Sequence, residues 1–418
     1  MTDASPSFRF DRAHLLRIAD ALVVALAVAL PWSTSVVSIL VVVWLFALIP
    51  TLKLVSVRRE LATAAGGLPV LLVMLGVFGT LWADVSWADR WNGIGSFAKL
   101  LIIPLLVVQF RGSDRGLWVF GGYLTACAAL LVASAFLSIS HGPWWPNHIY
   151  GVPVKNEATQ SGEFVTCIFG LLFLAVEFYE RRRLWMVALL AAVALSMAAD
   201  IFYVATGRTA LVIVVVLLVL FAAKKLRVRG IIFLFTGVIV LGAIGWMSSP
   251  YLRNRTIDVL REIQRYEATY ETNSSGERIE FWRKSVAFVR EAPIIGHGTG
   301  SIHALFIESS IGQTGAAASA TTNPHNQTFA VAIQLGLVGA IVLWAMWIAH
   351  LLLFRGSGLV EWIGLVVVVQ NIVGSLFNSH LFDFTQGWVY VFGVGVAGGM
   401  ALKRQSPKAD AGSSEPAP

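Results

Sequence analysis

Apolar runs of near-spanning length recur along the whole of this chain, and about 20 apolar residues are what a helix needs to cross a bilayer. That pattern rules out a water-soluble globule. Only 13% of the 418 residues are charged, where a soluble domain carries about 25%, and the mean hydropathy is +0.73. Too little polar surface remains to cover a globule, so the bilayer is the solvent. The expected fold is all-α: a polytopic integral membrane bundle of about twelve transmembrane helices.

A hairpin fills 19–55, interrupted at Pro31-Trp32-Ser33-Thr34, after a polar, basic start that reaches Arg17. No small-residue cleavage site follows it convincingly, so a retained signal anchor is expected. Later spans lie near 68–84, 94–110, 116–138, 162–180, 184–205, 209–223, 230–247, 326–354, 358–378 and 386–402. The connecting loops alternate in charge. One set holds Arg9, Arg12 and Arg17, then Lys53, Arg58 and Arg59, Arg111 and Arg115, and Arg181 to Arg183. It continues with Lys224, Lys225, Arg227 and Arg229, then Arg355, then Lys403, Arg404 and Lys408. The opposite short loops hold almost none, which places both termini in the cytoplasm. Trp82, Trp87, Trp91, Trp144 and Trp145 gather at the outward ends, as an aromatic belt does.

Four regions follow: an N-terminal transmembrane bundle over 1–247, an outward helical loop over 248–325, C-terminal transmembrane helices over 326–402, and a disordered cytoplasmic tail over 403–418. Cys127 and Cys167 both sit in apolar runs, and no disulfide is expected.

The outward loop has folding signals of its own. Ile257, Leu260, Ile263, Tyr266 and Tyr270 recur at near-helical spacing. A second helix starts after Ser274-Ser275-Gly276, carries Ile279, Trp282, Val286 and Val289 as a stripe, and is stopped by Pro293. The glycines of Gly296-His297-Gly298-Thr299-Gly300 could form an anion nest, but an ordinary glycine turn after a helix is the favoured reading.

Four basic side chains could carry chemistry. His325 stands where the loop meets the next span, and histidine suits proton transfer near neutral pH; the plainer role is an interfacial histidine bonded to backbone. Arg208, in the tight turn Thr206-Gly207-Arg208-Thr209, needs an anion or a route to water; the plainer role is a snorkelling anchor. Arg278 is either functional or a solvated helix-face charge stacked on Trp282. Lys99 lies inside the fourth span toward its outer end. Outward carboxylates are sparse: Asp84, Asp89, Glu157, Glu163, Asp200 and Asp383. No outward Asp-x-Asp pair, phosphate loop, His-Glu-x-x-His or Gly-x-Ser-x-Gly is present, so nucleotide hydrolysis, zinc proteolysis and serine hydrolysis find no support.

Pro324-His325-Asn326, followed after ten residues from His325 by Gly336, resembles the signature of bacterial O-antigen ligases of the WaaL type. Gly207-Arg208-Thr209 is similar to that family's arginine turn, Arg278-Ile279-Glu280-Phe281-Trp282 to its Arg-x-x-x-Trp helix, and Pro293 to Gly298 to its glycine turn. The likeness covers roughly 200–340; the first half agrees in hydropathy alone.

The resemblance implies a GT-C-like glycosyltransferase of the bacterial inner membrane, its active site facing the periplasm. The donor would be a glycan on undecaprenyl pyrophosphate and the acceptor the lipid A–core oligosaccharide, with no cofactor and no metal. His325 would be the catalytic base, and Arg208 and Arg278 would hold the pyrophosphate. Lys99, Arg90, Lys155, Asn326 and Trp282 form an outer tier. Transfer would invert the anomeric carbon. An O-antigen polymerase or a protein-glycan ligase of the same superfamily fits the same residues. A transporter or flippase fits the span count, but predicts charges deep within several spans. The lipid bilayer is the remaining partner implied, and nucleic acid is not.

Overall fold

The computed structural model describes residues 12–140 and 151–405. Arg9, Trp144, Trp145, Lys408 and the expected tail from 406 onward lie outside the described residues. The opening hairpin is α1 (Arg12–Ala29) and α2 (Thr34–Leu48), turned at Ser33, whose Oγ accepts from Val36 N. Arg12 and Arg17, expected in a polar leader, are already in α1.

A short amphipathic α3 (Leu54–Leu61) holds Arg58 and Arg59. After α4 (Ala64–Phe78), α5 (Trp87–Ala98) and α6 (Ile102–Gly112) join through a 3-10 turn at Lys99–Leu101. They make one 26-residue apolar unit that starts earlier than the expected span and leaves Lys99 near its middle. Next come α7 (Gly116–Ser140), α8 (Glu157–Glu180), α9 (Leu184–Tyr203), α10 (Arg208–Lys225) and α11 (Val228–Ser248). The loop folds as α12 (Pro250–Thr269), α13 (Ser274–Glu291) and α14 (Ile302–Glu308). The chain ends in α15 (Gln327–Leu353), α16 (Leu359–Gly374) and α17 (Phe384–Gln405), so residues 403–405, expected in the tail, are helical.

Eight helical stretches among the described residues are long and apolar enough to cross a membrane, and α16 is a shorter apolar helix. Helices α1, α10 and α17 have comparable length; Arg12, Arg17 and Asp20 in α1, end charges in α10 and glycines in α17 lower their hydropathy. Together these make up the expected polytopic, all-helical bundle. Helices and closed barrels are the forms that satisfy the backbone in hydrocarbon. Cys127 and Cys167 are buried and free.

Helix α17 is the axis of the bundle, buried from Thr385 to Ala401. Glycines let α6 lie close against it: a Cβ at Gly395 would meet Leu106, and one at Gly399 would meet the Val107 carbonyl 2.7 Å away. At one end of the bundle the basic residues meet. Lys224 and Lys225 donate to the carbonyls of Gly356 and Ser357, Lys403 pairs with Asp114, and Arg404 with Glu361. The loop helices cover the other end. Helix α12 is fixed there by Tyr251 and Arg255, which both bond the carboxylate of Glu157 at the start of α8.

Glu163 and Asp200, expected in outward loops, are instead buried within α8 and α9. Glu163 is paired with Lys155 at 3.2 Å, and Asp200 accepts from Ser134 and Gln160. Asp200 is bonded at both carboxylate oxygens, whereas Glu163 Oε2 is buried with no partner among the described residues.

Candidate functional site

Helix α15 is broken. Gly336 adopts φ 63°, ψ −159°, a conformation open to glycine and strained for other residues. The break frees the carbonyls of Ile333 and Gln334, and the glycine turn after α13 fills them: His297 N donates to Ile333 O at 2.8 Å and Gly298 N to Gln334 O at 2.9 Å. In return Leu337 N and Val338 N donate to Pro293 O and Ile294 O. Thr299 N bonds Gly79 O, and Gly300 N bonds Gln334 Oε1. Every N–H of the 296–300 turn is therefore committed to protein oxygen, and the turn, expected to be an ordinary glycine turn, docks α13 onto the break in α15.

His325 precedes the N-cap of α15, with φ 53°. Three contacts fix it there. Its N–H donates to Asn323 Oδ1 at 2.9 Å, its carbonyl accepts from Trp282 Nε1 at 3.4 Å, and its ring lies parallel to Phe281 with centroids 6.0 Å apart. Arg278, Phe281 and Trp282 are three and four residues apart, which puts all three on one face of α13. The Arg-x-x-x-Trp spacing thus sets one residue to clamp the histidine backbone and another to act on it electrostatically. Trp282 bonds His325, and the expected stack of Arg278 on Trp282 is not among the cation–ring contacts of the described residues.

The imidazole is oriented by Asn378, from the loop between α16 and α17. His325 Nδ1 and Asn323 Nδ2 both face Asn378 Oδ1, at 2.9 and 2.8 Å, while Asn378 Nδ2 donates to Asp383 Oδ2 at 2.6 Å. The reverse amide would set donor against donor and acceptor against acceptor, so Nδ1 carries the hydrogen. Nε2 bonds no described residue and is left as the basic nitrogen. Burial lowers the imidazole below the ordinary histidine value, and the positive charge of Arg278 lowers it further. It is a neutral base at neutral pH.

The 375–383 loop is itself tied down. Gln327 Oε1 accepts from Leu381 N and Phe382 N, and Asn326, the N-cap of α15, donates to Leu376 O. Lys99 Nζ donates to the carbonyls of Phe382 and Asp383 at 3.0 and 2.8 Å. Burial raises Asp383 to about 6, with Lys99 opposing. Lys99 and Asn326 therefore support the site through backbone.

Arg208 sits at the first position of α10. Its fork is bidentate to Glu262 at 2.9 and 3.1 Å, and Glu262 also accepts from Ser275 N and Oγ at the start of α13. These bonds hold the Glu262 carboxyl below the usual carboxylate range. Arg278 is half-buried and bonds no other described residue. Burial and the neighbouring Arg208 charge lower it, and Glu262 opposes. The structure thus brings His325, Arg208, Arg278 and Trp282 together at one end of the bundle.

Two outer-tier residues lie elsewhere. Arg90 donates to the carbonyls of Val85 and Thr80 and stacks on Trp87, which accounts for it structurally. Lys155 turns inward to Leu30 O and Glu163. Sequence reasoning missed Asn323, Asn378 and Glu262. The cluster Asn378-Ser379-His380 with Asp383, polar between two apolar runs, was the available signal for Asn378.

Such an arrangement offers a neutral imidazole beside a guanidinium that bonds no described residue, at the end of a membrane bundle. Residues 195–344, running from α9 through Arg208, the loop helices and His325 to beyond the break in α15, match the family model described as O-Antigen ligase. The chain has no match among curated proteins. Over that segment the chain is similar to the O-antigen ligase family.

Proposed function

We propose that the protein transfers a glycan from undecaprenyl pyrophosphate to the lipid A–core oligosaccharide, as a multi-pass enzyme of the bacterial inner membrane with its loop helices in the periplasm. The observation that carries this is the pairing of His325, neutral and with Nε2 bonded to no described residue, with Arg278, whose guanidinium bonds no described residue. An acceptor hydroxyl attacks the anomeric carbon and gives its proton to Nε2. The new carbon–oxygen bond forms as the bond from that carbon to the phosphate oxygen breaks. The electron pair leaves on undecaprenyl pyrophosphate, and attack from the opposite face inverts the anomeric centre. Arg278 takes the growing negative charge at once. Arg208 joins it by exchanging Glu262 for phosphate oxygens.

The test is reconstitution of purified protein with lipid-linked donor and lipid A–core, with and without EDTA. Transfer in both arms, abolished in His325→Ala, is expected; full transfer by His325→Ala would remove the histidine from the mechanism. A polymerase would use the same base and arginines, but would extend a second lipid-linked glycan. Product analysis separates the two.

A further inference from the structure

A cavity of 330 Å³ lies between the start of α8 and the loop leading into α17, within the range of about 300–1,000 Å³ typical of small-molecule sites. We infer that it receives one sugar ring of the acceptor glycan, an assignment that rests on the proposed glycan transfer.

Buried polar groups are nearly always hydrogen-bonded. Here His380, Thr385 and Gln386 are 9%, 6% and 7% exposed, line this cavity, and bond no described residue through their side chains. His380 Nδ1 is buried without a partner. Three such groups converging on one cavity are a set of donors and acceptors for a ligand with several hydroxyls. Half-buried Phe384 adds an aromatic face for the C–H side of a ring, and the Asp383 carboxylate adds an acceptor.

Charge argues against an anion in the cavity. Lys155 reaches its wall, but its amine is turned away to the Leu30 carbonyl and Glu163. Arg208 and Arg278 are not in the lining, so the donor's pyrophosphate, and the sugar bonded to it, belong outside. Asn378 is the shared wall: it lines the cavity and holds His325 Nδ1. A ring seated here is one side chain away from the base, where the attacking hydroxyl must come from.

The experiment uses the full-length protein in detergent with lipid-linked donor and delipidated core oligosaccharide. Thr385→Val and Gln386→Leu should each raise the acceptor KM about two- to tenfold, the effect of one lost hydrogen bond, and leave the donor KM unmoved. Titration calorimetry of the oligosaccharide should show the same weakening without catalysis. Gln386 lies against Gly162, so thermal unfolding is recorded for each variant, and Thr385→Val, which keeps the side-chain shape, decides if the leucine disturbs packing. An unchanged acceptor KM in stable variants, or a raised donor KM instead, overturns the assignment. Parent protein that binds the oligosaccharide through these residues but transfers nothing overturns the ligase reading and leaves the cavity standing.

Discussion

Gly336→Ala tests whether the glycine of the histidine signature is architectural. At φ 63°, ψ −159° an alanine costs about 1–3 kcal/mol in backbone strain alone. Its Cβ would stand 2.5 Å from Ile295 N and closer still to the Ile294 carbonyl. These are backbone atoms, so no side chain can swing aside, and the glycine turn must move. Four hydrogen bonds cross that contact, from His297, Gly298, Leu337 and Val338. At about 0.5–1.5 kcal/mol each, their loss adds about 2–6 kcal/mol, a large part of a typical total stability of about 5–15 kcal/mol. Thermal unfolding in detergent, followed alongside glycan transfer, should show both falling together. Leu337→Ala, a change at a half-exposed side chain next door, should leave both near the parent. An alanine variant with parental unfolding temperature and transfer rate would refute the docking argument.

Other substitutions separate the roles around the base. Removing the imidazole with His325→Ala should cost about 10²–10⁴ in turnover, the usual contribution of a positioned base, with thermal unfolding unchanged; rates with purified donor check this. Arg278→Gln should move the acid limb of the pH–rate profile upward: the cation holds His325 low, so its loss raises the imidazole and demands a higher pH for the neutral form. An unmoved limb would remove Arg278 from the electrostatics of the base. Asn378→Ala should reduce turnover more than donor affinity, because it frees Nδ1 and not the phosphate site; the split between kcat and donor KM decides. Lys99→Met should lower the unfolding temperature, since two carbonyls of the 375–383 loop lose their donor.

The membrane architecture was legible because hydropathy alone marks spans and loop charge orders them. His325, Arg208, Arg278 and Trp282 were legible because a resemblance pointed to them, and the fold brings them together. Asn378 was not, because its partner lies 53 residues away in sequence and an Asn in a short polar loop has no periodicity to betray it. Glu262 was hidden among the acids and arginines of α12, where each looks like a solvated face charge. Gly336 was visible as spacing, but its reason was not: a positive φ leaves no trace in composition. Glu163 and Asp200 were placed in loops because a carboxylate near a span end reads as solvent-exposed. Ser134 and Gln160 from neighbouring helices accompany Asp200 into the bundle, and Lys155 from the segment before α8 accompanies Glu163.

The break in α15 also fixes a length. Between the base and Gly336 lies a half-helix from Gln327, about 1.5 Å per residue, or roughly 14 Å over nine residues. Its lower end is clamped by the glycine turn, and its upper end carries the imidazole. Under the proposed transfer this stub would work as a ruler, setting the depth of the imidazole relative to the pyrophosphate of a donor anchored in the bilayer. One residue added to the stub would turn the histidine by about 100° and lift it by about 1.5 Å. The arginine turn and α13, anchored elsewhere, would stay behind. On that proposal the ten residues between His325 and Gly336 are a calibrated interval, fixed by helix rise and by the docking of the break.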